Sequence, residues 1–341
     1  MTTPLGHGRL VDVRLDVACL GETMGQFVPV KDGIVAATWF RLEHAGAESN
    51  VAVGLAQLGL HAAWVSRLGQ DAVGERILNA LVDEGVDTSL VERRSGHPTG
   101  IFLKEPSGHG RKVTYYRRGS AASTMDRDDV NRMFAAEPAL LHISGITSAL
   151  SASCDDAVQF ALTTARQRGI VTSFDVNYRP ILWAGRNDAA QRLGEMANLA
   201  DIVFVGQDEA NDLWGAGSPH SIERLLAGAG RVIVKDSDKV ATSVSKGAYV
   251  MVPALQVEVA ESGGAGDAFA AGWLAAMIDD HDEATRLRCG HLMARASLGS
   301  TTDHGSRISM PALLAEAADE SLWRLPQSNE RTQKDPRHAP R

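Results

Sequence analysis

Short apolar runs alternate with longer stretches of helical periodicity along most of the chain. Leu15 to Leu20, Ala62 to Leu68, Leu140 to Ser144, Val171 to Asp175, Ile202 to Val205 and Val232 to Lys235 read as strands, because runs of this length bounded by turn residues are too short for independent helices. Between them Ala47 to Leu58 carries Val51, Leu55 and Leu58 on one face, and Asp155 to Arg168, Ala189 to Ala200 and Ser221 to Ala229 repeat the pattern. The alternation predicts a doubly wound α/β architecture with a mostly parallel central sheet. Ligands of such sheets sit beyond the carboxyl ends of the strands, so the polar residues that follow those strands matter most.

Two stretches break the alternation. Thr99 to Arg118 reads strand, turn, strand, with Pro106-Ser107-Gly108-His109-Gly110 as the turn. With a second segment from Glu22 to Phe40 it predicts a small β-appendage. The division expected is an N-terminal extension over 1–14, one α/β domain over 15–325 whose lid comes from about 22–40 and 97–118, and a polar, proline-bearing tail over 326–341.

Composition narrows the class. Of 341 residues, 44% are hydrophobic and 22% charged, the usage of a folded globular protein. Lys and Arg number 34 against 42 Asp and Glu, so the net charge of -8 disfavours a nucleic-acid or anionic-membrane partner. The start of the chain is interrupted by charges where a secretory signal needs an apolar core, and no apolar run approaches a spanning length. Cys19, Cys154 and Cys289 are scattered and odd in number, which fits a reducing cytoplasm better than a disulfide framework.

Chemistry concentrates in Glu261-Ser262-Gly263-Gly264-Ala265-Gly266-Asp267-Ala268-Phe269, a glycine loop opening an alanine-rich helix near Asp267. Glycines there let backbone N–H groups approach an anion, and the helix dipole favours negative charge. An aspartate at that point can accept a hydroxyl proton while the amides hold charge on a transferring phosphoryl group. The bland alternative is a tight turn with Asp267 as a helix cap. Walker, dinucleotide, zinc-protease and esterase signatures are absent.

Gly264-Ala265-Gly266-Asp267 followed by Ala268-Phe269 resembles the C-terminal signature of the ribokinase-like (pfkB) carbohydrate kinases. Ala45-Gly46-Ala47-Glu48-Ser49-Asn50-Val51-Ala52, then Gly59 and Gly69, is similar to their N-terminal, sugar-binding signature. The resemblance implies a three-layer α/β/α sandwich with a β-lid, ATP as donor and Mg²⁺ as cofactor. It implies that Asp267 is the catalytic base, that Gly264, Ala265 and Gly266 form an anion hole, and that Gly46 and Asn50 hold the sugar.

Within the family the chain looks most like the kinases of 2-keto-3-deoxygluconate, through Tyr115-Tyr116-Arg117-Arg118-Gly119-Ser120 and Asp175-Val176-Asn177-Tyr178-Arg179. Period-two alternation lets Tyr115 and Arg117 point together from the lid, and with Arg179 they suit a carboxylate, which Arg matches bidentately. A solvated edge-strand charge is the other reading of Arg117. Asp303, in Thr301-Thr302-Asp303-His304-Gly305, resembles a further substrate residue, and Asn177 and Lys235 fall near the expected nucleotide path. Three departures touch the nucleotide half. Asp236-Ser237-Asp238-Lys239-Val240 lacks the glycines usual at Ser237 and Val240, Gly206-Gln207-Asp208-Glu209 keeps only the glutamate of an Asn-x-x-Glu element linked to magnesium, and Glu261-Ser262-Gly263 replaces Asp-Thr-Thr. The expectation is an ATP-dependent acid-sugar kinase, a homodimer through the lid being plausible; the alternatives are a neutral-sugar kinase of fructokinase or ribokinase type and a catalytically weak sugar-binding regulator.

Overall fold

The structure, a computed structural model, describes residues 14–105, 113–257, 259, 263–299 and 307–323. The turn at 106–110, Glu261, Ser262, Asp303, His304 and the tail lie outside the described residues.

Nine strands form the main sheet: β1 (Val17–Leu20), β4 (Ala62–Gly69), β5 (Val91–Arg94), β8 (Leu140–Ser144), β9 (Val171–Asp175), β10 (Ile202–Gly206), β11 (Arg231–Asp236), β12 (Val240–Ser245) and β13 (Ala248–Pro253). Their order is β13-β12-β11-β10-β9-β8-β1-β4-β5, parallel except for β12, which runs antiparallel to both β11 and β13. The remaining four, β2 (Met24–Pro29), β3 (Phe40–Ala45), β6 (Ile101–Lys104) and β7 (Val113–Tyr116), make a separate sheet in the order β3-β2-β6-β7. This is the β-appendage read from the sequence; its second segment runs to Ala45 rather than Phe40.

Alternation along the strands builds two cores. Val17, Cys19, Trp64, Leu140, Phe204 and Ile233 point to one face, where α1 (Ala47–Gln57), α2 (Ala72–Asp83), α9 (Ala265–Ile278), α10 (Glu283–Leu298) and α11 (Met310–Ala317) cover them. Their neighbours Ala18, Leu20, Val65, Leu141, Val203 and Val234 point to the other. There α3 (Arg127–Ala135), the single turn α4 (Gly145–Ser148), α5 (Ala152–Arg168), α6 (Arg186–Ala197), α7 (Gln207–Trp214) and α8 (Pro219–Leu225) form the opposite layer. Burial on both faces is what a parallel sheet between helical layers requires. Among the described residues no helix is long and apolar enough to cross a membrane.

Helix boundaries follow local caps. The segment expected to be helical from Ala189 begins at Arg186, after the extended Gly185, and that expected from Ser221 begins at Pro219, where Ser218 accepts from Ser221 N and the proline suits the first turn. One buried ion cluster fastens α3 to the sheet. Arg67, on β4 and 3% exposed, places Nη2 2.9 Å from Asp126 Oδ1 and 2.8 Å from Asp129 Oδ2. Those carboxylates also cap α3: Asp126 accepts from Asp128 N, and Asp129 accepts from Asp126 N. Removing the cation would leave Asp129 buried with only the more exposed Arg132 to compensate it. Arg67→Ala is therefore expected to cost roughly 3–5 kcal/mol, read as a lower urea midpoint with an unchanged slope. A loss within about 0.5 kcal/mol would show that the cluster does not anchor the helix.

Candidate active site

Two helices meet closely at the carboxyl edge of the sheet. Gly54 on α1 faces Ala271 on α9, and a Cβ at Gly54 would lie 2.6 Å from the Ala271 Cβ, closer than carbon atoms tolerate. One turn earlier on each helix stand Asn50 and Asp267. The approach allows Asn50 Nδ2 to donate to Asp267 Oδ2 at 2.8 Å. The cap of α9 is Gly264 at φ 72, a left-handed conformation that favours glycine, and the first helical bond runs from Ala268 N to Gly264 O at 2.8 Å. The N–H groups of Ala265, Gly266 and Asp267 thus have no acceptor within the helix and stand at its positive end. The Asp267 side chain bonds Asn50 rather than the helix terminus, which removes the capping alternative.

Strand alternation supplies the opposing charge. Asp175 at the end of β9 and Lys235 on β11 share the face of Phe204 and Ile233, the face that α9 covers. Lys235 Nζ donates to Asp175 Oδ2 at 3.0 Å and lies 3.4 Å from where a Cβ on Gly266 would be. The ammonium therefore lines the same corner as the first-turn amides of α9. Asn177, buried and at φ 41, donates its N–H to Asp175 Oδ1 at 3.1 Å. Glu209 on α7 accepts from Tyr178 N and, at 3.1 Å, from Gly206 N.

This packing sets the charges. Desolvation pushes the Asp267 carboxyl up to about 8; the Asn50 hydrogen bond opposes this, the Asp175 charge adds to it, and Lys235 and Arg179 oppose it. Burial also raises Glu209, reinforced by Asp175 and offset by the two amides and Lys235. For Lys235 burial acts downward, but Asp175 and the further charges of Glu209 and Asp267 outweigh it and the net shift is upward. A base raised toward neutrality beside a secure cation is suited to taking a proton from an alcohol.

The lid contributes the second wall. Gln26 on β2 is in register with Phe102 on β6, and Phe102 with Tyr115 on β7, so all three share a face. The Phe102 and Tyr115 rings lie 5.6 Å apart, and the Arg117 guanidinium lies 5.7 Å from the Tyr115 centroid. Arg117 follows the end of β7 and is 10% exposed, so it is no solvated edge charge. Nor is it a free fork. Its Nε donates to Glu22 Oε2 at 2.7 Å and its Nη2 meets the same carboxylate, while Ser120 Oγ donates to Glu22 Oε1. One edge of the guanidinium is thus occupied by Glu22.

Three buried oxygens in this region have no partner: Thr23 Oγ1, Gln26 Oε1 and Asn50 Oδ1. Buried polar atoms left open are costly, and these three stand on α1 and at the start of the lid. Sequence reading had assigned Asn50 alone of the three; a glutamine at an inward position of an otherwise largely apolar strand was the available signal for Gln26. Gly46 caps α1, where a Cβ would come within 2.3 Å of Glu22 O. Arg179 is exposed, with Nη1 donating to Tyr178 O at 3.1 Å, close enough for its charge to act on Asp267. Ser237 adopts φ 47, so the backbone keeps the left-handed turn without the family's glycine, whereas Val240 simply opens β12. Among the described residues no three carboxylate, histidine or cysteine side chains gather as a metal cage. Mg²⁺ that rides on substrate phosphates needs no such cage. Each Glu209 oxygen accepts one backbone amide, so the carboxylate is anchored between two segments.

Comparison with known proteins agrees with this geometry. The description "pfkB family carbohydrate kinase" matches residues 14–312. A 2-dehydro-3-deoxygluconokinase of Bacillus subtilis (strain 168) is 37% identical over 78% of this chain and 84% of its own length, and one from Thermoproteus tenax is 30% identical over 80% and 84%. The crystal structure of a PfkB protein from Polaromonas sp. JS666 superposes with a TM-score of 0.79 at 34% identity, covering 85% of this chain and 98% of that one. With its three layers, its lid and an aspartate at the amide end of α9, the chain belongs to the pfkB family of carbohydrate kinases.

Proposed function

We propose that the protein transfers the γ-phosphoryl group of ATP, with Mg²⁺, to the primary 6-hydroxyl of 2-keto-3-deoxygluconate, the sugar acid also called 2-dehydro-3-deoxygluconate. The observation that carries the kinase chemistry is Asp267, held by Asn50 at 2.8 Å beside the unpaired first-turn amides of α9. Asp267 accepts the hydroxyl proton; the N–H groups of Ala265, Gly266 and Asp267 and the Lys235 ammonium hold charge on the transferring group. Magnesium, when bound with the nucleotide, neutralises phosphate charge. Tyr115, the free edge of Arg117 and the exposed Arg179 receive the acid end of the sugar; Gly46, Asn50, Thr23 and Gln26 face its hydroxyls. Asp303 is assigned to the same substrate from its motif. Asn177 and Lys235 border the nucleotide. The relatives named as kinases of this sugar acid support the assignment.

A neutral-sugar kinase is the second reading, favoured by the compensation of Arg117 by Glu22. We place the enzyme in the cytoplasm, where the buried free thiols of Cys19, Cys154 and Cys289 would stay reduced. It would pair with a second copy through the lid, which exposes Val35, Trp39 and Tyr116.

Asp267→Asn should lower kcat by roughly 10²- to 10⁴-fold at unchanged thermal stability, and near-normal turnover would remove the mechanism. Because the base works as a carboxylate, kcat/KM should climb as pH rises toward about 8 and level off above it. Asn50→Leu removes a bond that favours the charged form, so this acid limb should move to higher pH; a limb that stays in place would dissociate Asn50 from the base. Arg117→Ala would strand the buried Glu22, so Arg179 is the cleaner probe of acid recognition. Arg179→Ala should weaken 2-keto-3-deoxygluconate by about 1.5 kcal/mol, the lower end for a bond between charged groups, with little effect on fructose or ribose. Equal losses across a panel of acid and neutral sugars would speak for the second reading.

A further inference from the structure

Glu209 holds two segments at once. It stands in the first turn of α7, and Oε2 reaches back to Gly206 N at 3.1 Å, the return half of a capping box. Oε1 faces away from the helix and accepts the amide of Tyr178. Tyr178 lies in the short loop that leaves β9 at Asp175 and presents Arg179. That loop is tied at its start as well, since Asp175 accepts from Lys235 Nζ at 3.0 Å and from Asn177 N at 3.1 Å. Between the two ties Asn177 takes φ 41, a conformation that an L residue keeps when its surroundings hold it there. The exposed Arg179 guanidinium has its placement set by this backbone, with one nitrogen donating to Tyr178 O at 3.1 Å.

We propose that Glu209 is a positioning residue for the sugar: by bonding the Tyr178 amide it fixes the loop from which Arg179 reaches the substrate. The proposal rests on the assignment of Arg179 to the acid end of the sugar. It gives Glu209 a task apart from the metal, since each oxygen holds a backbone amide.

Glu209→Gln keeps the shape but offers one accepting atom for two amides; Glu209→Asp keeps the charge but is too short to span both. Steady-state kinetics of both full-length variants test the idea, and the aspartate variant serves if the glutamine variant does not fold. Both should raise KM for 2-keto-3-deoxygluconate by about fivefold or more, while KM for MgATP and the free Mg²⁺ needed for half-maximal rate stay within about twofold. In an Arg179→Ala background the same changes should add less than about twofold to the sugar KM, because the two residues act through one contact. A higher Mg²⁺ requirement with an unchanged sugar KM would overturn the proposal, and so would additive effects of the two substitutions. The wild-type sugar panel keeps the premise separate: if a neutral sugar proves to be the substrate, the acid-end assignment fails, and the double-mutant cycle on that sugar's KM then decides the Glu209 claim, additivity again overturning it.

Discussion

The close approach of α1 and α9 is the constraint on which the rest of the site depends. Two small residues, Gly54 and Ala271, let the helix backbones come together, and only at that separation can Asn50 reach Asp267. A larger pair would displace the helices by the size of the added atoms, since close-packed interiors do not absorb an extra methyl without strain. The same contact joins residues 217 positions apart in the chain, so Asn50, Asp267 and the glycine turn before α9 are assembled by packing rather than by local sequence.

Within that frame, competing electrostatic effects can be ranked. A helix N-terminus favours a carboxylate, but the gain is usually below about one pK unit at an exposed end. Asp267 nevertheless lies well above the ordinary aspartate range, since desolvation and the neighbouring Asp175 outweigh Asn50, Lys235 and Arg179 together. Lys235 is the natural counterweight. Its bond to Asp175 keeps a cation beside Gly266, where it can face an incoming phosphate without being released to solvent.

Much of this was legible in the sequence. Apolar runs gave the inner strands nearly to the residue, because a strand buried on both faces has little compositional freedom. The strands β12 and β13 were missed: β13 turns Tyr249 and Met251 outward, and the buried centre of β12 is half polar, with Thr242 and Ser243 inside it, so neither reads as an apolar run. Asp267, Asn50 and Lys235 were singled out by the residues around them, and the structure brings all three to one corner. Glu22 was not, because nothing local marks a carboxylate whose partner lies 95 positions away. Ser237 stands where the resemblance implies a glycine, and the backbone there is left-handed all the same: a turn demanded by the β11 to β12 connection overrides the preference of its residue. Asp303 lies outside the described residues, so its assignment stands on the motif alone.

Glu22 sits where the chain leaves the main sheet for the lid, and Arg117 and Ser120 sit where it returns. One carboxylate therefore rivets the outgoing and incoming strands at a common root. An appendage fastened in this way would swing as a rigid flap about that root rather than fray strand by strand. Tyr115 and Gln26, on neighbouring parts of one surface, would then arrive over the cleft in a single stroke.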